Sequence, residues 1–145
     1  MSECRTVLVV SRTAAEWQPS FAELSDERGY RVLQATSARE AYQLADDAHV
    51  DIVISDRLIG DDDGVEKLRR YRVAHPAIIR TLVKDESFKS LPPHTFDAAA
   101  IYQFIRRPLD PEQIGLVARR ELETRELARR RSRGLDQSTA QSVRR

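Results

Sequence analysis

The chain has 145 residues, of which 41% are hydrophobic and 32% are charged. This length and composition suit one folded domain with a tail, and are too small for two domains that each bury a core. The single cysteine, Cys4, provides neither a disulfide framework nor the repeated cysteine spacing of a zinc site. No apolar stretch has the length of a membrane span and Met1 to Thr6 contain no signal-peptide core, so we expect a cytoplasmic protein.

The net charge of +1 is unevenly distributed along the chain. Residues 119–145 hold nine arginines against four acids, a local charge of +5, which leaves −4 for the remainder. A basic end can contact nucleic acid, acidic lipid or an acidic protein. A solvated helix with a frayed terminus is the simpler interpretation, because charge runs usually face water. We expect no membrane contact, and nucleic-acid binding is the weaker alternative because no recognition helix or aromatic platform is evident.

Short apolar runs alternate with helical patterns. The predicted strands are Thr6–Val10, Arg31–Ala35, Asp51–Ile54, Ala77–Val83 and Ile101–Ile105. Apolar residues at helical spacing occupy Trp17–Leu24, Ala41–Ala48, Val65–Tyr71 and Ile114–Leu122. Such alternation predicts a three-layer α/β/α sandwich with parallel strands and right-handed crossovers.

Several residues mark where these helices begin and end. Ser37 and Glu40 have the spacing of a capping box, and Gly29 is a stop signal after the first helix. Pro19 must lie near the start of that helix or kink it. Pro92 and Pro93 restrict the helix after the fourth strand to about Glu86 to Ser90. The last helix should continue to about Arg131, supported by Glu121 with Arg125 and Glu126 with Arg130, before a disordered tail.

The stretch from Val50 to Gly64 connects this architecture to chemistry. A β-branched apolar run ends at Ser55 and Asp56, and an acidic loop closes at Gly64. A continuous apolar run indicates a strand buried on both faces, as in a parallel sheet. Ligands of such sheets bind beyond the carboxyl ends of the strands, so we expect Asp56 in the functional site.

Three segments resemble response-regulator receiver domains, the phosphorylatable modules of two-component signalling and phosphorelays. They are DIVISDRLIGDDDG, IYQFIRRP and HPAIIRTLV, the last of which is similar to receivers that precede HD-GYP domains. The resemblance implies a flavodoxin-like (βα)5 fold with strand order 2-1-3-4-5. The receiver-like domain would span residues 1–122, and residues 123–145 would form a basic helical extension and disordered tail. The resemblance places Asp56 at the phosphoacceptor position and Asp63 at that of a loop acid.

The residues around Asp56 depart from the receiver pattern. The acid pair that holds magnesium in receivers falls on Ser11 and Arg12, and the family's lysine falls on Arg107. The switch positions fall on Lys84, where receivers carry a serine or threonine, and on Phe104, where they carry a tyrosine or phenylalanine.

These departures change the expected electrostatics. Magnesium binding needs one or two carboxylates, whereas here one carboxylate faces three cations. We therefore expect no cofactor, with Mg²⁺ binding weak or absent and limited to Asp56 and the Leu58 carbonyl. Arg12 offers hydrogen-bond donors where magnesium would lie, and Lys84 or Arg107 can reach from neighbouring strand ends. Asp56 should remain ionised and be neutralised by protein cations.

The leading interpretation is a pseudo-receiver that is not an enzyme and acts through protein contacts. The expected partner is a histidine kinase or a downstream signalling protein. A homodimer would use the fourth helix, fifth strand and last helix. Two alternatives stay open: a receiver that still accepts phosphate at Asp56, and a sensory module in which Arg12, Lys84 and Arg107 bind an anion or nucleotide.

Overall fold

The computed structural model describes residues 5–56, 58–59, 62–84 and 103–143. One parallel sheet runs through the described chain. Its strands are β1 (Thr6–Val10), β2 (Arg31–Ala35), β3 (Ile52–Asp56), β4 (Ile79–Lys84) and β5 (Gln103–Arg106). They lie in the order β2-β1-β3-β4-β5, and every neighbouring pair is parallel. The predicted order 2-1-3-4-5 is therefore confirmed.

Helices flank this sheet. Those described are α1 (Ala14–Ala22), α2 (Ala38–Asp47), α3 (Gly64–Ala74) and α4 (Pro111–Val143). Two short strands, Leu58–Ile59 and Asp62–Asp63, form an antiparallel pair between β3 and α3. The helix predicted from Glu86 to Ser90 lies outside the described residues. None of the helices within the described ranges combines the length and apolarity needed to cross a bilayer.

The central strands β1 and β3 are buried at every position because both faces of the sheet are covered. In β1, Leu8 and Val10 belong to the core beneath α2 and α3, whereas Val7 and Val9 belong to the core beneath α1 and α4. Successive side chains of a strand point to opposite faces, so the continuous run TVLVV is buried at every position. This arrangement is the predicted three-layer sandwich.

The first helix accommodates its proline and then changes its hydrogen bonding. Pro19 lies inside α1, and a π-helical segment, Glu23–Glu27, follows directly. Gly29 adopts a φ of +73°, the left-handed region that favours glycine, and separates this segment from β2. Trp17 is fully buried and stacks on Phe21, with their ring centroids 6.2 Å apart. The predicted helix is present, with Pro19 in its interior.

The start of α2 carries only half of the predicted reciprocal cap. The Ser37 hydroxyl accepts a hydrogen bond from the Glu40 N–H at 3.1 Å, as in a capping box. The Glu40 carboxylate instead accepts from the N–H and the hydroxyl of Thr36, at 3.5 and 3.4 Å. The side chain therefore reaches one residue further back than the motif predicts.

The C-terminal helix α4 is longer than predicted. It begins at Pro111, after Asp110 has accepted hydrogen bonds from the N–H groups of residues 112 and 113. Its inner face buries Ile114, Ala118 and Leu122, as predicted. The helix continues to Val143 and does not give way to a disordered tail near Arg131. Extending an existing helix is far easier than nucleating one, and residues 112–143 contain no proline.

Candidate functional site

The carboxyl edge of the sheet gathers the residues singled out in the sequence. Asp56 ends the central strand β3 and is only 6% exposed. Ser11 follows β1, Lys84 ends β4 and Arg107 follows β5. Because parallel strands end at one edge, these positions are neighbours despite their separation in sequence.

Arg107 makes the central contact of this site. Its Nη2 donates a hydrogen bond to Asp56 Oδ1 at 2.8 Å. The same guanidinium donates to Glu16, from Nε to Oε2 at 3.1 Å and from Nη2 to Oε1 at 3.1 Å. The planar fork of arginine suits such paired contacts, and here it bridges carboxylates from β3 and α1.

The loop after β1 holds Glu16 in position. The Thr13 hydroxyl donates to Glu16 Oε1 at 3.0 Å, and the hydroxyls of Thr13 and Ser11 lie 2.9 Å apart. Ser11 is buried, its N–H donates to the Ala35 carbonyl, and its hydroxyl accepts from the Thr13 N–H. A continuous hydrogen-bonded chain therefore leads from Ser11 through Thr13, Glu16 and Arg107 to Asp56.

The contact between Arg107 and Glu16 stabilises the charged forms of these two residues. The hydrogen bond from Arg107 lowers the pKa of Glu16 below its ordinary value of 4.5, helped by Thr13 and opposed by partial burial. Burial acts to lower the pKa of Arg107, but the hydrogen bonds and charges of Glu16 and Asp56 raise it overall. The Glu16–Arg107 pair is therefore charged throughout the neutral pH range.

Arg12 does not take part in this bridge. It follows buried Ser11 and is exposed, and within the described ranges no hydrogen bond or ion pair connects it to Asp56. Because the Ser11 side chain turns into the site, the next residue along the chain faces solvent. The sequence suggests three cations as partners of Asp56, which are Arg12, Lys84 and Arg107. In the structure, Arg107 donates the hydrogen bond to Asp56.

The other predicted positions lie around the same edge. Lys84 is opposite Arg106 in the register between β4 and β5. Phe104, in β5, is partly buried against the core beneath α2 and α3. Leu58 and Asp63 are paired residues of the short antiparallel strands that follow β3.

The receiver resemblance implies a magnesium ion beside Asp56, and the side chains do not fit one. The two nearby carboxylates, Asp56 and Glu16, both accept hydrogen bonds from Arg107, whose guanidinium lies between them. A divalent cation in that space would meet the guanidinium charge, and Arg107 already engages Asp56 Oδ1 and both carboxylate oxygens of Glu16. In the described part of the chain, no group of three or more potential metal-ligating side chains is present.

Glu16 is the site residue that sequence reasoning did not identify. It lies in the first turn of α1, where a helix begins at the carboxyl edge of the sheet. An acid is favourable at a helix N-terminus. The presence of Glu16 there is therefore explained by its own helix, and nothing in the local sequence indicates a contact with Arg107. The contact could be predicted only from position. Glu16 lies shortly after β1, and β1 is the neighbour of β3, the strand that ends in Asp56.

A second buried ion pair lies at the opposite, amino edge of the sheet. Asp51 Oδ1 accepts from Arg125 Nη2 at 2.6 Å, and Asp51 Oδ2 accepts from the Thr6 N–H at 2.8 Å. Burial acts to raise the pKa of Asp51, but these two donors lower it overall. Arg125 also donates to the carbonyls of Asp51 and Ala77, so it does not form the predicted pair with Glu121.

Comparison with known proteins identifies signalling relatives. Sensor kinase CckA of Brucella abortus is 30% identical over 129 residues, which are 85% of this chain and 13% of CckA. The alginate biosynthesis transcriptional regulatory protein AlgB of Pseudomonas aeruginosa is 29% identical over 111 residues, 77% of this chain and 24% of AlgB. The chain thus spans a quarter or less of these curated relatives. No family model matches the sequence.

Solved receiver domains share the fold. The signal receiver domain of an HD domain-containing protein from Pseudomonas fluorescens Pf-5 is 26% identical, with a TM-score of 0.77. The match covers 90% of this chain and 96% of that domain. This match to a receiver from an HD domain-containing protein agrees with the resemblance of the segment HPAIIRTLV to receivers that precede HD-GYP domains.

Proposed function

This chain is a receiver domain of two-component response regulators, and we propose that it is a pseudo-receiver whose phosphorylation switch is lost or greatly slowed. The observation that supports this proposal is the 2.8 Å hydrogen bond from Arg107 to Asp56, with the same guanidinium held by Glu16. Arg107 supplies the positive charge that a metal ion supplies in a working receiver.

The bridge opposes phosphoryl transfer in two ways. An attacking Asp56 oxygen must be free to approach the phosphoryl group in line, and a cation must neutralise the phosphoryl oxygens. The arginine already engages one oxygen and lies where the cation is needed. Releasing it breaks a partly buried, charge-assisted hydrogen bond to Asp56, worth about 2 kcal/mol, and exposed contacts to Glu16, worth about 0.5 kcal/mol.

A receiver whose phosphoacceptor aspartate is held by Arg107 would act by binding other proteins through its surface. The partner would be a histidine kinase or a downstream protein that recognises this one conformation of the domain. A homodimer would use the surface around β5, including Phe104, together with the exposed part of α4. CckA is a sensor kinase and AlgB a transcriptional regulator, which supports a place in signal transduction and favours binding over catalysis.

A phosphate-accepting receiver is the second candidate, and Glu16 favours it. If Arg107 rotates away, Glu16 and Asp56 leave two carboxylates facing the same space. An anion-binding role for this edge has less support, because the charge of Arg107 is balanced by two acids. The locked receiver and the phosphate-accepting receiver differ in one measurable property, which is magnesium-dependent labelling.

The test is intact-mass analysis after treatment with acetyl phosphate, with and without magnesium. The wild type and Asp56→Asn are compared under both conditions. The pseudo-receiver predicts no added phosphate on the wild type, or labelling far slower than that of a working receiver measured in parallel. A rapid, magnesium-dependent adduct that disappears in Asp56→Asn would overturn the proposal and establish a working switch.

A further inference from the structure

A surface cavity lies between α2 and α3, away from Asp56. It is a groove of about 430 Å³ and is mostly apolar. Small-molecule sites typically have volumes of about 300–1,000 Å³, with apolar and aromatic walls and a few polar groups. The lining residues used below are Tyr42, Asp46, Arg70, Tyr71, Val73 and His75.

Aromatic rings form one wall of the groove. The rings of Tyr42 and Tyr71 lie 5.1 Å apart, and those of Tyr71 and His75 lie 6.3 Å apart. Val73, at the rim, is 83% exposed although it is fully apolar. This wall offers a planar ligand both a stacking surface and an aliphatic edge.

The cations of the groove exceed its available anions. The Asp46 carboxylate lies 2.7 Å from the His75 imidazole, and Glu66 forms an ion pair with Arg69 at 3.7 Å. Arg70 remains among the lining residues, with its guanidinium 5.5 Å from the Tyr42 ring centroid. Lys67, which lines the adjacent small void, has its ammonium 5.9 Å from the same centroid. In the ranges that the structure describes, neither makes an ion pair with a carboxylate.

A buried polar group, the Tyr71 hydroxyl, belongs to a residue that lines this groove. Tyr71 is almost completely buried and its hydroxyl has no hydrogen-bond partner in the described structure. The residue lines both the groove and a void of about 10 Å³ beneath it, which Tyr42 and Ser55 also line. Burial raises the pKa of Tyr71, so its hydroxyl keeps its proton and is available as a donor.

We propose that the groove between α2 and α3 binds a small planar anion, an aromatic or heteroaromatic molecule with a carboxylate, sulfonate or phosphate. The ring lies against Tyr42 and Val73, and the anionic group faces Arg70, with the Lys67 ammonium nearby on the same Tyr42 ring. The void beneath the groove is also bounded by Ser55, the residue before Asp56. The site is independent of the pseudo-receiver proposal, because none of its ligand contacts involves Arg107.

The test uses two fluorescent probes that differ mainly in charge. Anilinonaphthalene sulfonate carries a planar naphthalene ring and one sulfonate, and N-phenylnaphthylamine has the same ring system without the sulfonate. The anionic probe should bind the full chain saturably, one molecule per chain, with a dissociation constant of about 10–100 µM. The neutral probe should bind about tenfold more weakly.

Matched variants assign the binding to the groove. Arg70→Gln should weaken binding of the anionic probe about tenfold and leave the neutral probe unchanged. Asp46→Asn should strengthen anion binding about twofold, because it removes a nearby negative charge. The control is Arg39→Gln, which changes an exposed arginine of α2 outside the groove and should change neither probe.

Nuclear magnetic resonance locates the bound probe. The proposal predicts shift changes at Tyr42, Val73 and His75. It is overturned if both probes bind equally, if the anionic probe does not bind saturably, or if Arg70→Gln leaves its affinity unchanged. It is also overturned if the shifts instead map to Leu116 and Leu127, the exposed apolar residues of α4.

Discussion

Asp51 and Arg125 form a 2.6 Å ion pair although 74 residues separate them in the chain. Asp51 is 1% exposed, so its carboxylate depends on the donors that surround it. His49 contacts the same oxygen at 3.3 Å, and the Thr6 N–H binds the other oxygen. The pair attaches α4 to the amino edge of β1, β3 and β4.

Removing one partner should leave a buried charge without compensation. We predict that Arg125→Met lowers the free energy of unfolding by about 3 kcal/mol, because the Asp51 carboxylate loses its strongest donor. Urea unfolding followed by circular dichroism measures this loss. Arg120→Met, an exposed position on the same helix, is the control and should cost less than about 0.5 kcal/mol. Equal midpoints for the two variants would contradict the structural role of the pair.

The same contact predicts where α4 can be shortened. A chain that ends at Arg131 keeps Arg125 and should retain the stability of the full chain within about 0.5 kcal/mol. A chain that ends at Thr124 should lose about as much stability as Arg125→Met. Differential scanning calorimetry of the two truncated chains tests this. Equal stability would mean that the folded domain ends near residue 122, the boundary expected from the sequence.

Acidification should destabilise the fold at a defined pH. The folded-state pKa values of Glu16 and Asp51 are lowered from 4.5 and 3.8. Their ion pairs therefore contribute fully above about pH 4.5 and lose this contribution as the pH falls through the lowered values. Urea midpoints measured between pH 2.5 and about pH 7 should fall mainly below pH 4.5.

Glu16→Gln separates the two acids in this pH series. The variant should show a shallower loss of stability below pH 4.5, because one of the groups with a lowered pKa is gone. Glu112→Gln, an exposed acid in the first turn of α4, is the control and should retain the slope of the wild type. A Glu16→Gln slope identical to that of the wild type would show that the bridge to Arg107 contributes no pH dependence.

Exchanging Arg107 for lysine should loosen Asp56. A lysine presents one compact ammonium and cannot span Asp56 and Glu16 with a planar fork. We predict that Arg107→Lys increases the rate of labelling by acetyl phosphate in magnesium about tenfold over the wild type. Arg106→Lys, the exposed neighbour, is the control and should leave labelling unchanged. If Arg107→Lys remains as inert as the wild type, another feature of the site blocks phosphorylation.

The fold could be predicted from the sequence because burial on both sheet faces leaves a direct pattern. The runs from Thr6 to Val10 and from Ile52 to Asp56 are fully buried, and their alternation with amphipathic helices limits the topology. The meeting of Asp56 with Arg107 could also be expected, because both follow the carboxyl ends of strands in one parallel sheet. These features depend on backbone geometry.

The contacts of Glu16 and Arg125 could not be predicted, because each side chain has more than one favourable partner. Glu16 has an adequate local position at a helix N-terminus, and Arg125 has a helical neighbour, Glu121, at the favourable spacing. Each side chain instead makes a contact across the domain, with Arg107 or with Asp51. Burial strengthens the contact of Arg125 with Asp51, and the planar fork of Arg107 favours its paired contact with exposed Glu16. Neither property can be read from local spacing along one helix.

Because α4 is one continuous helix, a small tilt at its attachment to the sheet corresponds to a larger displacement at its C-terminal end. From Arg125, its attachment to the amino edge, the helix extends eighteen residues to Val143, or about 27 Å at 1.5 Å per residue. A tilt of about 10° at the attachment moves the far end by about 5 Å. A displacement of the strand ends around Asp51 that tilted α4 by this angle would therefore move its far end by nearly one helical turn.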